Sequence, residues 1–436
     1  MAKENKEYFW DLGLSAIKQL ETDQGILASS RTEAYACIFG RDSAISALKI
    51  LRAYKKTKDP YFLEVVRKIL INLAVLQGRK ENIESGEQPG KAIHEYRPEK
   101  HERLTKKLNP PWYVYEDDKM RNYDSVDSTP LFLICVYRYW QLSNDERFME
   151  ILMPNIRMGL DWIMEYSDSN GDGFVDYELS PKRVHGGLVT QNWMDSTESV
   201  FHETGGVLVY PMAPVEVQAY VYLTYRLWSN YFKTREPALA EKFDQKAINL
   251  KELFNKKFPA VDPDGNYYLV SKLDGEGKQF RSVRSDMGHT LWASLNMEDD
   301  GTVDSIVYAE DIPKIVKRLV MPDIFEPDAG IRTLSKLSVN FQPNSYHNGS
   351  IWPHDNAMIA EGFEVHGFLK EAKKIKAAVL KAIKHFKTPI ELFVYIDGKY
   401  SEYISENGSR ACMIQAWTAA SLLDFTANYS RAKVKT

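Results

Sequence analysis

Residues 41–78, RDSAISALKILRAYKKTKDPYFLEVVRKILINLAVLQG, decide the fold. Apolar side chains recur at helical spacing on both sides of one interruption, Asp59-Pro60. Aspartate is a preferred helix cap and proline suits a first helical turn, so one helix stops and the next starts across that dipeptide. So short a joint forces the pair to lie antiparallel and side by side. Working outward with the same rules predicts twelve helices, at roughly 6–23, 41–57, 60–78, 129–144, 145–166, 215–234, 237–258, 287–297, 311–320, 351–367, 368–386 and 415–432. Ser143-Asn144-Asp145, Thr234-Arg235-Glu236-Pro237 and Gly367 make further short joints.

The other connectors, at roughly 24–40, 79–128, 167–214, 259–286, 321–350 and 387–414, are far longer than ordinary loops, and such loops are usually functional or disordered. Their density of Trp, Tyr, Asp, Glu and His argues against disorder. In a closed ring of helical hairpins, alternating short and long joints puts every long loop at one end, where a site is expected. Antiparallel helices can also stack as an open solenoid, but the chain has no repeated sequence period of that kind. The expected fold is all-α, an (α/α)6 barrel of six helical hairpins with short β-hairpins in the long loops.

Composition fits one large domain, 1–436. The chain is 44% hydrophobic and 27% charged with a net charge of -4, enough to bury a sizeable core and without the basic excess of a nucleic-acid binder. No Ser/Gly/Pro-rich linker separates the helices. The start, Met1-Ala2-Lys3-Glu4-Asn5-Lys6-Glu7, lacks the apolar core of a signal peptide, and no apolar run reaches membrane-spanning length, so a cytoplasmic protein without membrane partners is expected. Cys37, Cys135 and Cys412 are too few and scattered for a disulfide framework or thiolate metal site.

The chemistry gathers in the long loops. Gln191-Asn192-Trp193-Met194-Asp195-Ser196 puts a carboxyl beside an indole, whose apolar face raises a carboxyl pKa as a general acid requires; Asp195 as a local helix cap fits the same spacing. Farther on, Glu391 and Glu402 flank Asp397-Gly398, a strong hairpin signal that pairs 391–396 with 399–404. Either glutamate, facing the pocket, could activate water as general base, and both could equally be solvated strand residues. In Phe39-Gly40-Arg41-Asp42-Ser43, a guanidinium fork and a carboxylate at a helix start suit adjacent hydroxyls of a polyol, or form a cap with a local salt bridge. Asp127 precedes a helix that Ser128 or Thr129 would cap, which leaves it free to face cavity or solvent.

Tyr346-His347-Asn348-Gly349-Ser350-Ile351-Trp352-Pro353-His354-Asp355 is weak as a metal site, because no further His or Cys cluster completes the ligands. It is better as a sugar platform, with an aromatic face for the C–H side of a pyranose and polar groups for its hydroxyls. Gln415-Ala416-Trp417 and Glu216-Val217-Gln218-Ala219-Tyr220 repeat the theme, although Trp417 would also suit a core and Gln218 a solvated first turn. The run 168–176 follows a calcium loop until its twelfth position, Leu179, where a bidentate Glu is needed; a turn leading into a strand is expected instead.

With these motifs in order, the chain resembles the amylo-α-1,6-glucosidase domain of glycogen debranching enzymes and, more loosely, glucoamylases and other six-hairpin glycosidases. The resemblance runs from about 35 to 425 through segments 39–42, 126–132, 172–177, 191–196, 214–220, 346–355 and 415–417. It implies hydrolysis of α-glucosidic bonds from a non-reducing end with inversion, without metal or organic cofactor. It makes Asp195 the general acid, and Arg41 with Asp42 the grip on the glucose. A Pro-Glu-Leu-Phe segment of many relatives points to Glu391 as base, although Ile390 is inserted here, whereas other relatives point to Glu402. Typical debranching enzymes carry a large β domain or a transferase domain that has no counterpart here, so small α-glucosides stand beside trimmed glycogen as candidate substrates. The competing readings are a glycoside phosphorylase on the same barrel and a non-catalytic carbohydrate-binding protein.

Overall fold

The computed structural model describes residues 3–296 and 303–433. Its helices are α1 Lys3–Leu20, α2 Gly40–Thr57, α3 Pro60–Val75, α4 Glu102–Lys106, α5 Ser128–Ser143, α6 Glu146–Glu165, α7 Val215–Phe232, α8 Pro237–Lys257, α9 His289–Trp292, α10 Ile312–Leu319, α11 Pro353–Val365, α12 Leu369–Phe386 and α13 Ala416–Lys433. α2, α5, α7, α9, α11 and α13 pack in succession, and α13 closes the ring against α2. α1, α3, α6, α8 and α12 back α13, α2, α5, α7 and α11 from outside, while α10 backs the turn Ser285–Gly288 that leads into α9. This is the expected (α/α)6 barrel. Burial separates the rings: α7 is buried around most of its girth, whereas α12 buries one stripe that includes Ala372, Ile375, Val379 and Ile383.

The short joints are local devices. Lys58 ends α2 in the left-handed conformation (φ 61), and Asp59 accepts the Tyr61 N–H at 3.1 Å to start α3. Asn144 (φ 54) and Asp145, which accepts the Phe148 N–H at 3.0 Å, do the same between α5 and α6. α2, α5, α7 and α11 each end in such a short joint and α13 starts from the last long connector, so the N-termini of these five inner helices, with their positive partial charge, lie at the long-loop end.

Several local expectations are corrected. The helix expected at 287–297 stops at Trp292; the Ser294 hydroxyl bonds the Leu291 carbonyl at 2.9 Å in competition with the helix, 295–296 pairs with 303–304 as strand, and residue 297 lies outside the described residues. α4 was not visible in the periodicity. The last connector does form a hairpin, shorter than expected, with 393–396 paired to 399–402 across Asp397 (φ 49) and Gly398 (φ 78). In the calcium-like run, the Asp168 carboxylate accepts the N–H groups of Gly171, Asp172 and Gly173, and the following strand is reduced to one bridge, Tyr177 to Met212. Among the described residues, no helix is long and apolar enough to cross a membrane.

Candidate active site

The starts of α2, α11 and α13 and the long connectors around them enclose a cavity of about 590 Å³. Arg41, in the first turn of α2, is buried at its floor; its Nε donates to Asp127 at 2.6 Å, its Nη1 to Asp195 at 3.0 Å, and its Nη2 has no partner. Asp127 is behind Arg41 and not in the cavity lining. Ser125, rather than Ser128 or Thr129, caps α5: its hydroxyl accepts the Ser128 N–H at 3.2 Å and donates to Asp127 at 2.6 Å. Thr129 instead accepts the Ala92 N–H at 2.9 Å. Asp42, also at the floor, accepts from the Gln415 amide at 2.9 Å; burial pushes its pKa up to about 8 against the opposing pull of Arg41.

Asp195 is on a loop pinned from several sides. Asn192 donates to Glu216 on α7 at 2.7 Å, the Ser199 hydroxyl bonds the Met194 carbonyl at 2.7 Å, and the Ser196 N–H and hydroxyl are 3.3 and 2.8 Å from His347 Nδ1. The side chain keeps 25% of its exposure, open to the cavity. Burial raises its pKa to about 6, and Arg41 limits the rise.

The two glutamates of the last connector diverge. Glu391 precedes the hairpin, lines the cavity and is 2% exposed; it accepts the Tyr346 hydroxyl at 2.6 Å and the Cys412 N–H at 2.8 Å. Burial lifts its pKa to about 7, the two hydrogen bonds work against that, and the charge of Asp195 adds to it. Glu402 stands on the strand opposite Phe393, 39% exposed, 3.3 Å from Arg410, and outside the cavity. Asp195 and Glu391 line the same cavity without a hydrogen bond between them, and burial raises both carboxyls toward neutrality.

Aromatic rings form the walls. Trp193 packs edge-on to Trp352 (5.9 Å) and His347 (5.5 Å), His347 stacks on Trp352 (5.0 Å), and Phe39 stands edge-on to Tyr35 and His94. His354 is not in the lining: it stacks on Trp417 at 3.7 Å, beneath the wall, with both ring nitrogens unpartnered. Burial holds His347 and His354 far below the usual imidazole range, so both are neutral. Gln218 is also absent from the cavity. Its amide bonds the Val175 N–H and carbonyl at 3.0 and 2.7 Å and the Pro214 carbonyl at 3.0 Å, which ties the 172–177 loop to α7. Tyr346, the first residue of the 346–355 motif, joins the cavity lining although no role was assigned to it, and the wall of Arg97, Lys100, Arg103 and Trp112 consists of cavity residues that the motifs did not reveal.

A closed ring of hairpins with two such carboxyls among stacked aromatics defines a six-hairpin glycosidase. The sequence model of the amylo-alpha-1,6-glucosidase family matches residues 111–424, and the chain belongs to that family of glycoside hydrolases. The match starts beyond α3, so Arg41 and Asp42 fall outside it. Among solved structures, the chain is similar to a GH63 mannosylglycerate hydrolase from Thermus thermophilus in complex with Tris, at 14% identity and TM-score 0.64 over 96% of this chain and 100% of that one. The same hydrolase in complex with glucose gives the same values. A wild-type glycosidase aligns at 10% identity and TM-score 0.58 over 99% of both chains. Among curated proteins, none matches the sequence.

Proposed function

We propose that this hydrolase removes a terminal α-glucosyl residue from a small glucoside or oligosaccharide with inversion, Asp195 acting as general acid and Glu391 as general base. The observation that carries this reading is the pair of carboxyls in one cavity, both raised by burial to about 6 and about 7. The family's α-glucosidic specificity supports the choice of sugar, as does the glucose held by a structural neighbour. The sugar stacks on the indole wall, and the free Arg41 Nη2 donates to one of its hydroxyls. Asp195 protonates the departing oxygen while Glu391 takes a proton from the water that attacks the anomeric carbon from the opposite face.

Burial raises both carboxyls toward neutrality. Catalysis uses the distribution with the proton on Asp195, which donates to the glycosidic oxygen, and the charge on Glu391, which accepts from water. Kinetics reports the pair rather than either residue. Early-time NMR of an α-glucoside digest tests the stereochemistry: β-glucose should appear before mutarotation, and α-glucose as first product would overturn inversion.

A further inference from the structure

The cavity is divided chemically by depth. Asp42 and Glu391 are buried at its floor, whereas Lys100 and Arg103, on the connector between α3 and α5, line it from exposed positions. The other charged wall residues have protein partners. Arg97 pairs with Glu95 and donates to the Ala34 carbonyl at 3.0 Å, and Arg410 is 3.3 Å from Glu402. Glu33 accepts the Ser30 N–H at 3.0 Å, the Ser30 hydroxyl at 2.6 Å and the Met413 N–H. Among the described residues, Lys100 and Arg103 have no carboxylate partner. Their segment is nonetheless tied down: Trp112 donates its N–H to the Leu104 carbonyl at 3.0 Å, and the Gly186 N–H bonds the Pro111 carbonyl at 2.8 Å. A Cβ on Gly186 would meet the Pro110 carbonyl oxygen at 2.5 Å, so only glycine permits that approach. His101 Nε2 adds a contact of 3.0 Å to the Asp118 carbonyl.

Two unpaired cations at the mouth, beside the apolar faces of Leu104, Leu108 and Trp112, select for a ligand that is neutral at its deep end and anionic at its outer end. The carboxylates below would repel an anion that entered first. We infer that the preferred leaving group is a short polar acid, a carboxylate or a phosphate ester, whose negative charge meets Lys100 and Arg103 while Trp112 covers its carbon skeleton. This rests on the reading of the floor as the glycosyl site. A neutral oligosaccharide would leave both cations without a role.

The test compares α-glucosylglycerate with α-glucosylglycerol at low ionic strength. The acid should be favoured in kcat/KM by roughly tenfold or more, and Lys100→Ala with Arg103→Ala should cut that acid-over-neutral ratio by about tenfold. The charge-preserving pair Lys100→Arg with Arg103→Lys should retain most of it, and salt at roughly 0.5 M should weaken it. α-Glucosylglycerol phosphate, run in parallel, separates phosphate from carboxylate by which of the two is preferred. Equal kcat/KM for acid and neutral substrates would overturn the inference. Calorimetric titration of free glycerate and glycerol phosphate needs no turnover and separates this inference from the catalytic reading. Binding that the double alanine variant weakens, in a protein that hydrolyses no glycoside, would sink the catalytic reading and sustain the acid site. Turnover of neutral glucosides with no binding of either acid would sink the acid site alone.

Discussion

Buried charge occurs at both ends of this barrel, and the two ends use it differently. Away from the long loops, Lys49, Arg52 and Lys56 of α2 meet Glu361 and Glu364 of α11 and Asp424 of α13: Lys49 to Glu361 at 2.5 Å, Arg52 to Glu361, Glu364 and Asp424 at 3.1, 3.2 and 2.9 Å, and Lys56 to Asp424 at 2.9 Å. Against burial, which alone would raise it, Arg52 and Lys56 hold Asp424 well below the ordinary carboxylate range. A cavity of about 210 Å³ opens beside this network, but its one carboxyl, Glu361, is also held low. At the long-loop end Arg41 Nη2, His347 Nε2, Gln415 Oε1 and the indole N–H groups of Trp193 and Trp417 are buried without partners, and the carboxyls titrate near neutrality. Paired charges fasten helices together. Unpaired polar atoms around a cavity are arranged for something that is not part of the chain.

The contrast breaks most visibly at Asp195. Asp195→Asn should lower turnover of an unactivated glucoside by roughly 10²–10⁴-fold while sugar binding persists by calorimetry. Near-normal turnover would take Asp195 out of the mechanism. The two glutamates sharpen the same contrast within one connector. Glu391→Gln should cost a similar factor of roughly 10² or more and be rescued by azide as external nucleophile, whereas Glu402→Gln should leave kcat within about twofold. Equal, mild losses in both variants would place the base elsewhere.

At the opposite end the readout is stability. Asp424→Asn leaves Arg52 and Lys56 without their buried partner and should cost about 3 kcal/mol in denaturant unfolding, with kcat per folded molecule retained. An unchanged unfolding midpoint would mean that the network contributes little. The smallest effect is on pH dependence. Activity needs one proton on the carboxyl pair, so kcat/KM should fall below about 6, where Glu391 and Asp195 are both protonated, and above about 7, where both are ionised. The Tyr346 hydroxyl favours the Glu391 carboxylate, so Tyr346→Phe should raise the pKa of Glu391 and move the alkaline limb, near 7, upward by at most about one pH unit. A downward shift would contradict the assignment of that limb.

Helix periodicity, caps and the alternation of joint lengths were enough to read the closed ring and the end where the long connectors enclose the cavity. These are local signals: Asp59-Pro60 or Asn144-Asp145 acts through hydrogen bonds within a few residues, whatever surrounds it. The pairing of Asp195 with an aromatic wall was legible for the same reason, because Trp193 is two positions away. The tertiary structure alone separated Glu391 from Glu402, turned Gln218 inward to hold a loop, put Asp127 behind Arg41 and set Lys100 and Arg103 over the cavity. Each of those outcomes depends on how a connector of tens of residues returns across the barrel mouth. Local propensity carries no information about which face of such a loop meets the cavity.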